Sequence, residues 1–252
     1  MTTLTSTSIY NGIVEKKNSD SKQFAILVDP DNFDDAGTIA SEAQSANVDL
    51  IFIGGSILTN GNIESCIMEV KKETEIPVVL FPGNTLQIND KADGILFLSL
   101  ISGRNPELLI GKHVIAAPVL KRSSLEIIPT GYMLIDGGSS TAVSYMSNST
   151  PIPSDKADIA VCTALAGEML GLKMIYMDGG SGAMSPISEI MISKVREQIS
   201  VPLIIGGGIR TPEMAINACR AGADIIVVGS AVENQKSKSA LIAEISDAIH
   251  SS

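Results

Sequence analysis

Eight short apolar runs recur along this chain, and most alternate with segments of helical spacing. They are FAILVD (24–29), VDLIFI (48–53), IPVVLF (76–81), DGILFL (93–98), GYMLID (131–136), LKMIYM (172–177), VPLIIG (201–206) and ADIIVVG (223–229). Near-continuous apolar strands suit a parallel sheet covered on both faces, and helices are what cover it. DDAGTIASEAQSA follows the first run, NIESCIMEVKKET the second, PISEIMISKVREQI the sixth and PEMAINACRAG the seventh. In the last of these, Pro212 suits the first helical position and Gly222 the C-terminal cap. Eight such alternations over roughly 230 residues predict an α/β fold, a TIM-type (β/α)8 barrel. No linker splits the chain. The expectation is one domain over 1–252, with 1–20 an N-terminal extension and the barrel spanning about 21–250.

The alternation breaks in three places. Only PGNTLQINDKA separates runs three and four, too little for a long helix. NPELLIGKHVIAAPVL, within 100–130, predicts one helix interrupted near Pro118. Residues 137–158 predict a long polar loop before the helix IAVCTALAGEML. Long loops on a barrel's C-terminal face are often functional.

Composition narrows the chemistry. With 18 basic and 28 acidic residues the formal charge is −10, which disfavours nucleic acid and repels anionic membrane surfaces at long range. A phosphate ligand must then be held by backbone amides, helix N-termini or a metal ion. The histidines are His113 and His250 alone, so Ser-His-Asp catalysis and multi-histidine metal sites are disfavoured. Cys66, Cys162 and Cys219 are expected to be reduced, largely buried thiols of a cytoplasmic protein. MTTLTSTSIY lacks the pattern of a secretory signal, and no apolar stretch is long enough to span a membrane.

Glycines cluster at the strand ends. DGGSG (178–182) follows strand six, GGGIRT (206–211) strand seven and GS (229–230) strand eight. Loops after strands seven and eight of such barrels commonly bind phosphate. The amides of Gly207, Gly208, Gly229 and Ser230 would converge on one anion. Any one cluster could equally be a plain turn, but two at neighbouring strand ends favour the anion site. On the other side, Asp29 and Asp31 end strand one and Ser56 follows strand two. A carboxylate beside a hydroxyl suits Mg²⁺, although Asp-Pro turns also start helices without any chemistry.

Together FAILVDPD, DLIFIGGS, YMDGGSGA, PLIIGGGIRTPE and GADIIVVGSAVE resemble the geranylgeranylglyceryl phosphate synthase family, which includes the bacterial heptaprenylglyceryl phosphate synthases. The resemblance runs over roughly residues 20–235, and the long loop at 137–158 resembles the larger-chain group. It implies a modified TIM barrel with its third helix region altered. The implied reaction is transfer of a prenyl group, geranylgeranyl or similar, from its diphosphate to the 3-hydroxyl of sn-glycerol 1-phosphate, with Mg²⁺ as cofactor. It assigns Asp29 and Ser56 to the metal. It assigns Tyr176, Met177, Asp178, Gly179, Gly180, Ser181 and Gly182 to glycerol 1-phosphate, with Gly207, Gly208, Gly229 and Ser230 on its phosphate. Asp178 would orient the hydroxyl and accept its proton, and Tyr176 would bond substrate or pack at the strand end. A homo-oligomer, dimer or hexamer, is implied too.

Two departures stand out. Asp178 replaces a glutamate common in the family, and Asn32 follows DPD where lysine is common, leaving Lys121 or Arg122 as substitutes toward the diphosphate. An aliphatic groove formed by LIGKHVIAAPVL and strands three to five would take the prenyl tail. The competing classes are another phosphate-handling barrel, either an isomerase or a flavin enzyme, and a non-catalytic phosphate-ligand sensor.

Overall fold

The computed structural model describes residues 8–233 and 238–252, with the side chains of 32–34, 233 and 238 outside the description. Residues 1–7 of the expected extension, and the side chain of Asn32, lie outside the described residues.

The elements run α1 (Ile9–Asn18), β1 (Gln23–Val28), α2 (Ala36–Ser45), β2 (Leu50–Gly55), α3 (Ile63–Glu73), β3 (Val78–Pro82), β4 (Gly94–Leu100), α4 (Lys112–Leu120), β5 (Glu126–Leu134), α5 (Ala142–Ser147), α6 (Ala157–Met169), β6 (Met174–Asp178), α7 (Glu189–Arg196), β7 (Leu203–Gly206), α8 (Pro212–Arg220), β8 (Ile225–Val228), α9 (Ser230–Glu233) and α10 (Lys238–His250). The eight strands are parallel and close in sequence order, β8 pairing with β1. This is the expected TIM-type barrel.

Alternation along each strand sorts its side chains into two layers. Phe24, Ile26 and Val28 face the helices, while Ala25 and Leu27 face the barrel interior. The helices start where local chemistry tells them to. Asn62, Ser188 and Thr211 each accept a backbone N–H in the first turn of α3, α7 and α8, caps worth about 1 kcal/mol apiece. Pro212 opens α8, and Gly222, just past its end, has φ +113°.

α1 closes the bottom of the barrel. Ile13 packs among the interior side chains, and Glu126, the first residue of β5, accepts from the Ser8 hydroxyl at 2.7 Å and the Ile9 and Tyr10 amides at 2.6 and 3.0 Å. A carboxylate at a helix N-terminus satisfies orphan donors and complements the dipole.

Three local expectations need correction. Strand five begins at Glu126, not near 131, and runs through Pro129. That proline stands one residue before β5 first pairs with β6 at Thr130↔Met174, so its missing N–H falls where the neighbour has not begun. Pro118 does not interrupt α4, which continues to Leu120; the irregularity is a wide π-type turn at Glu107–Gly111 just before it. Val114, whose carbonyl Pro118 leaves unbonded, is exposed, so water can serve it. The polar stretch 137–158 contains α5, started by a Thr141/Ser144 capping box, and a bridge between Ile135 and Ile152.

Among the described residues no helix is long and apolar enough to cross a membrane. Cys66 and Cys219 are buried, but Cys162 on α6 is exposed, contrary to the expectation for all three. α6 carries apolar residues nearly all round, so its sequence does not announce which face is outside.

Candidate active site

The C-terminal strand ends form one face of the barrel, and the sequence clusters meet there. Register places Asp178 beside Gly206, and Gly206 beside Val227. The glycines after β6, β7 and β8 are therefore neighbours in space as well as in pattern. The Gly179 amide donates to the Gly206 carbonyl at 3.0 Å.

Asp178, the last residue of β6, is buried. Its two carboxylate oxygens are separately held: one accepts the Tyr132 hydroxyl at 2.7 Å, the other the Gly180 amide at 2.7 Å. Burial pushes its pKa above the usual carboxylate range, and these two donors pull it partly back. The same burial, with Asp178 alongside, holds the Tyr132 and Tyr176 hydroxyls firmly protonated. The result is a desolvated carboxylate of fixed orientation with heightened proton affinity, as a general base requires.

Gly207 and Gly208 form the adjoining wall. Both have positive φ, +82° and +76°. A β-carbon on Gly207 would lie 2.6 Å from the Gly179 nitrogen and 2.8 Å from an Asp178 carboxylate oxygen. Only glycine fits, and the backbone is thereby bared toward the space above Asp178. Gly229 differs: its φ is not positive, and a β-carbon there would meet nothing closer than 3.4 Å. Ser230, the first residue of α9, is exposed.

The other assigned residues divide. Gly179 and Gly180 are buried beside Asp178, while Ser181 and Gly182 are exposed at the rim. Tyr176 lies inside the barrel, 1% exposed, its ring 5.4 Å from Phe81 and 5.5 Å from Tyr132. Met177 packs with the helix-facing core, because alternate residues on β6 face opposite ways. Its side chain is therefore not part of the mouth, and only its backbone borders the site.

On the opposite rim Asp29 follows β1. A β-carbon on Gly55, at the end of β2, would sit 3.8 Å from both Asp29 carboxylate oxygens, so the carboxylate stands beside the strand end that carries Ser56. Burial raises its pKa. Asp31 has another task. Its carboxylate accepts from the Thr59 hydroxyl and from the Thr59, Asn60 and Gly61 amides, which holds its pKa at about 2. That clamps the loop before α3 and leaves Asp29 as the acid of this rim. Among the described residues no three His, Cys, Asp or Glu side chains gather as a metal cage. Asp29, and Ser56 at the end of the neighbouring strand, are hard oxygen donors of the kind that suit an ion keeping most of its shell for water and substrate, as Mg²⁺ does.

From this mouth a cavity of about 270 Å³ runs sideways between β3, β4 and α4. It begins at Ser56 and Tyr132 and reaches Ala116 and Leu120. It exists because the third helix is missing: a single 3-10 turn, Thr85–Gln87, stands in its place. α4 packs mainly on that turn and on the wide turn preceding it, leaving space beneath. The wall is not purely aliphatic as expected, since Phe81, Phe97 and Tyr132 contribute rings. His113 stands edge-on to Phe97 at 4.4 Å with its Nε2 3.1 Å from the Ser99 hydroxyl. Burial lowers its pKa, which favours a neutral ring.

Lys121 and Arg122 do not reach the mouth. They lie past the C-terminal end of α4, four or so residues before β5 begins, and hence at the barrel's opposite end. Lys112, at the start of α4, is the cation that lines the cavity. Two further residues escaped the sequence analysis. Tyr132 sat in a strand that read as core, with no signal of its role. Arg210 sat inside GGGIRT; its guanidinium donates to the Ala183 and Met184 carbonyls and ties the loop after β6 to the loop after β7.

Known proteins share this sequence pattern and this fold. The sequence pattern of the PcrB family matches residues 15–249. The geranylgeranylglyceryl phosphate synthase of Chitinophaga pinensis is 55% identical over 244 residues, 96% of each chain. That of Korarchaeum cryptofilum is 41% identical over 229 residues, 90% of this chain and 94% of its own. Among solved structures, the (S)-3-O-geranylgeranylglyceryl phosphate synthase of Thermoplasma acidophilum, in complex with sn-glycerol-1-phosphate, superposes with a TM-score of 0.92 at 32% identity, covering 98% of this chain and all of that one. Tryptophan synthase alpha chains share the barrel alone, at 16% identity and a TM-score of 0.60. The chain belongs to the PcrB family, that of the geranylgeranylglyceryl phosphate synthases.

Proposed function

We propose that this protein transfers a prenyl group, geranylgeranyl or one of similar length, from its diphosphate to the 3-hydroxyl of sn-glycerol 1-phosphate, making an ether-lipid precursor. One observation carries the reading: Tyr132, which lines a largely apolar cavity, donates to the buried Asp178, and Asp178 stands beside the bare backbone of Gly207. A polar cradle and an apolar channel with a common opening suit a small phosphate acceptor and a long hydrocarbon donor. The glycerol phosphate complex of the Thermoplasma acidophilum relative supports the first half.

The backbone at Gly207, Gly208, Gly229 and Ser230 holds the phosphate, leaving the far hydroxyl of glycerol over Asp178. The prenyl tail lies in the cavity below α4, and its diphosphate reaches back to Asp29 and Ser56. Those two residues would hold a magnesium ion. When bound, such an ion supplies charge neutralisation of the leaving group. The bond from prenyl C1 to diphosphate oxygen breaks, a bond from C1 to the glycerol oxygen forms, and Asp178 takes the hydroxyl proton. The cavity wall keeps water from the allylic cation that develops at C1. Orientation by fixed groups contributes alongside proton transfer. The enzyme works in the cytoplasm, as a dimer or hexamer.

Turnover of labelled glycerol 1-phosphate with Mg²⁺ and donors from C15 to C35 tests this directly. Asp178→Ala is expected to lower kcat at least 100-fold, in line with loss of a general base. A variant within twofold of the parent would remove Asp178 from the chemistry, and no organic-extractable product with any donor would remove the reaction.

A further inference from the structure

The outer face of the segment that roofs the cavity is apolar. Of the large hydrophobic side chains exposed among the described residues, five lie within 107–120: Leu109, Ile110, Val114, Ile115 and Val119. Leu86 and Met146 add to it from the two segments that border the same cavity. A second exposed apolar face lies on α6, with Ile159, Met169 and Leu170. Apolar exposure therefore does not distinguish them, but charge does. The α6 face is set among Asp155, Asp158 and Glu168, with Lys156 the one cation between 155 and 170. Residues 101–125 carry Arg104, Lys112, Lys121 and Arg122 against the single acid Glu107, in a chain whose net charge is −10. All four cations are exposed. Lys112 stands at one end of α4, and Lys121 and Arg122 stand at the other.

α4 is apolar nearly all round, and an exposed apolar face with cations at both ends can sit at a membrane surface while its long basic side chains reach lipid phosphates. We infer that the outer face of α4 docks this protein on the surface of an anionic phospholipid bilayer. The inference rests on the prenyl-transfer reading, because the inner face of the same helix, through His113, Ala116 and Leu120, lines the cavity assigned to the donor tail. Docking would set that cavity against the phase in which a prenyl diphosphate and an ether-lipid product both dissolve. Anionic lipid repels the acidic remainder of the chain, which confines binding to this face.

The test is co-sedimentation with large unilamellar vesicles, either phosphatidylglycerol mixed with phosphatidylcholine or phosphatidylcholine alone. The parent protein is expected to pellet with the anionic vesicles and to be released by 0.5 M salt, an ionic strength chosen at roughly three times physiological. Lys121→Gln with Arg122→Gln should lower partitioning by about fivefold per charge. Ile115→Ser with Val119→Ser should abolish it while leaving thermal stability and turnover of a detergent-dispersed donor in place. Met169→Ser with Leu170→Ser, on the α6 face, should bind as the parent does. No binding by the parent, or equal loss in the α6 variant, would overturn the inference. So would a fall in oligomeric mass for the α4 variants by light scattering, which would give the face to a second copy of the chain. Vesicle binding as expected without prenyl transfer would instead overturn the reaction and leave the docking face standing.

Discussion

Gly207 and Gly229 read alike in the sequence but differ in the structure, so alanine at each should separate two kinds of glycine. At Gly207, φ is +82° and a β-carbon would lie 2.6 Å from the Gly179 nitrogen and 2.8 Å from an Asp178 oxygen. The left-handed backbone alone costs alanine about 1–2 kcal/mol. The approach to backbone and buried carboxylate cannot be relieved by a rotamer change, and overpacking of this sort adds roughly 1–3 kcal/mol. Restriction of the unfolded chain returns about 0.4–1 kcal/mol. The net is a loss of about 3 kcal/mol, a fall in Tm of roughly 6–12 °C at about 2–4 °C per kcal/mol for a chain of this size. Gly229→Ala meets its nearest neighbour at 3.4 Å and has no positive φ, so its Tm should stay within about 1 °C. Differential scanning calorimetry gives both values, and titration with sn-glycerol 1-phosphate gives affinity on the same samples. Gly207→Ala should also weaken binding at least tenfold, because its methyl group occupies the wall of the cradle. Equal Tm changes for the two variants would refute the reasoning, and so would a Gly207→Ala protein that melts and binds as the parent does.

Tyr132→Phe removes one of the two donors that lower the Asp178 pKa. The base acts deprotonated, so the acid limb of kcat/KM should move to higher pH, and stability should fall by about 1.5–3 kcal/mol for the lost charged hydrogen bond; an unmoved limb would mean that Asp178 does not titrate in catalysis. On the proposed metal site, Mg²⁺ with inorganic diphosphate should raise Tm and Asp29→Asn should cancel that rise, a measurement independent of turnover; a rise that persists in the variant would place the ion elsewhere. A thiol reagent should modify Cys162 alone in the folded protein, since burial holds the Cys66 thiol at about 12 and raises Cys219 as well; rapid modification of all three without denaturant would contradict the packing.

The parts of this molecule that were legible in its sequence are those whose signal is local. A strand covered on both sides must be apolar throughout, so the eight runs declared themselves. A backbone that must approach a ligand must be glycine, so GGGIRT and DGGSG marked the mouth before their neighbours were known. What stayed hidden depends on distant pairing. Tyr132 looks like any core tyrosine until β5 is laid beside β6 and its hydroxyl meets Asp178 across 46 residues. Asp29 and Asp31 look equivalent until the loop at 59–61 folds onto the second and engages it. The cavity was hidden for the opposite reason, since it comes from an element that is absent. The short PGNTLQINDKA showed that a helix was missing, but not that a cavity would open between β3, β4 and α4. α4 carries apolar side chains on both its inner and its outer face. In the proposed reading the inner face receives the prenyl tail and the outer face meets lipid. Removing that outer surface while sparing the inner one is therefore the experiment that separates a roof from an anchor.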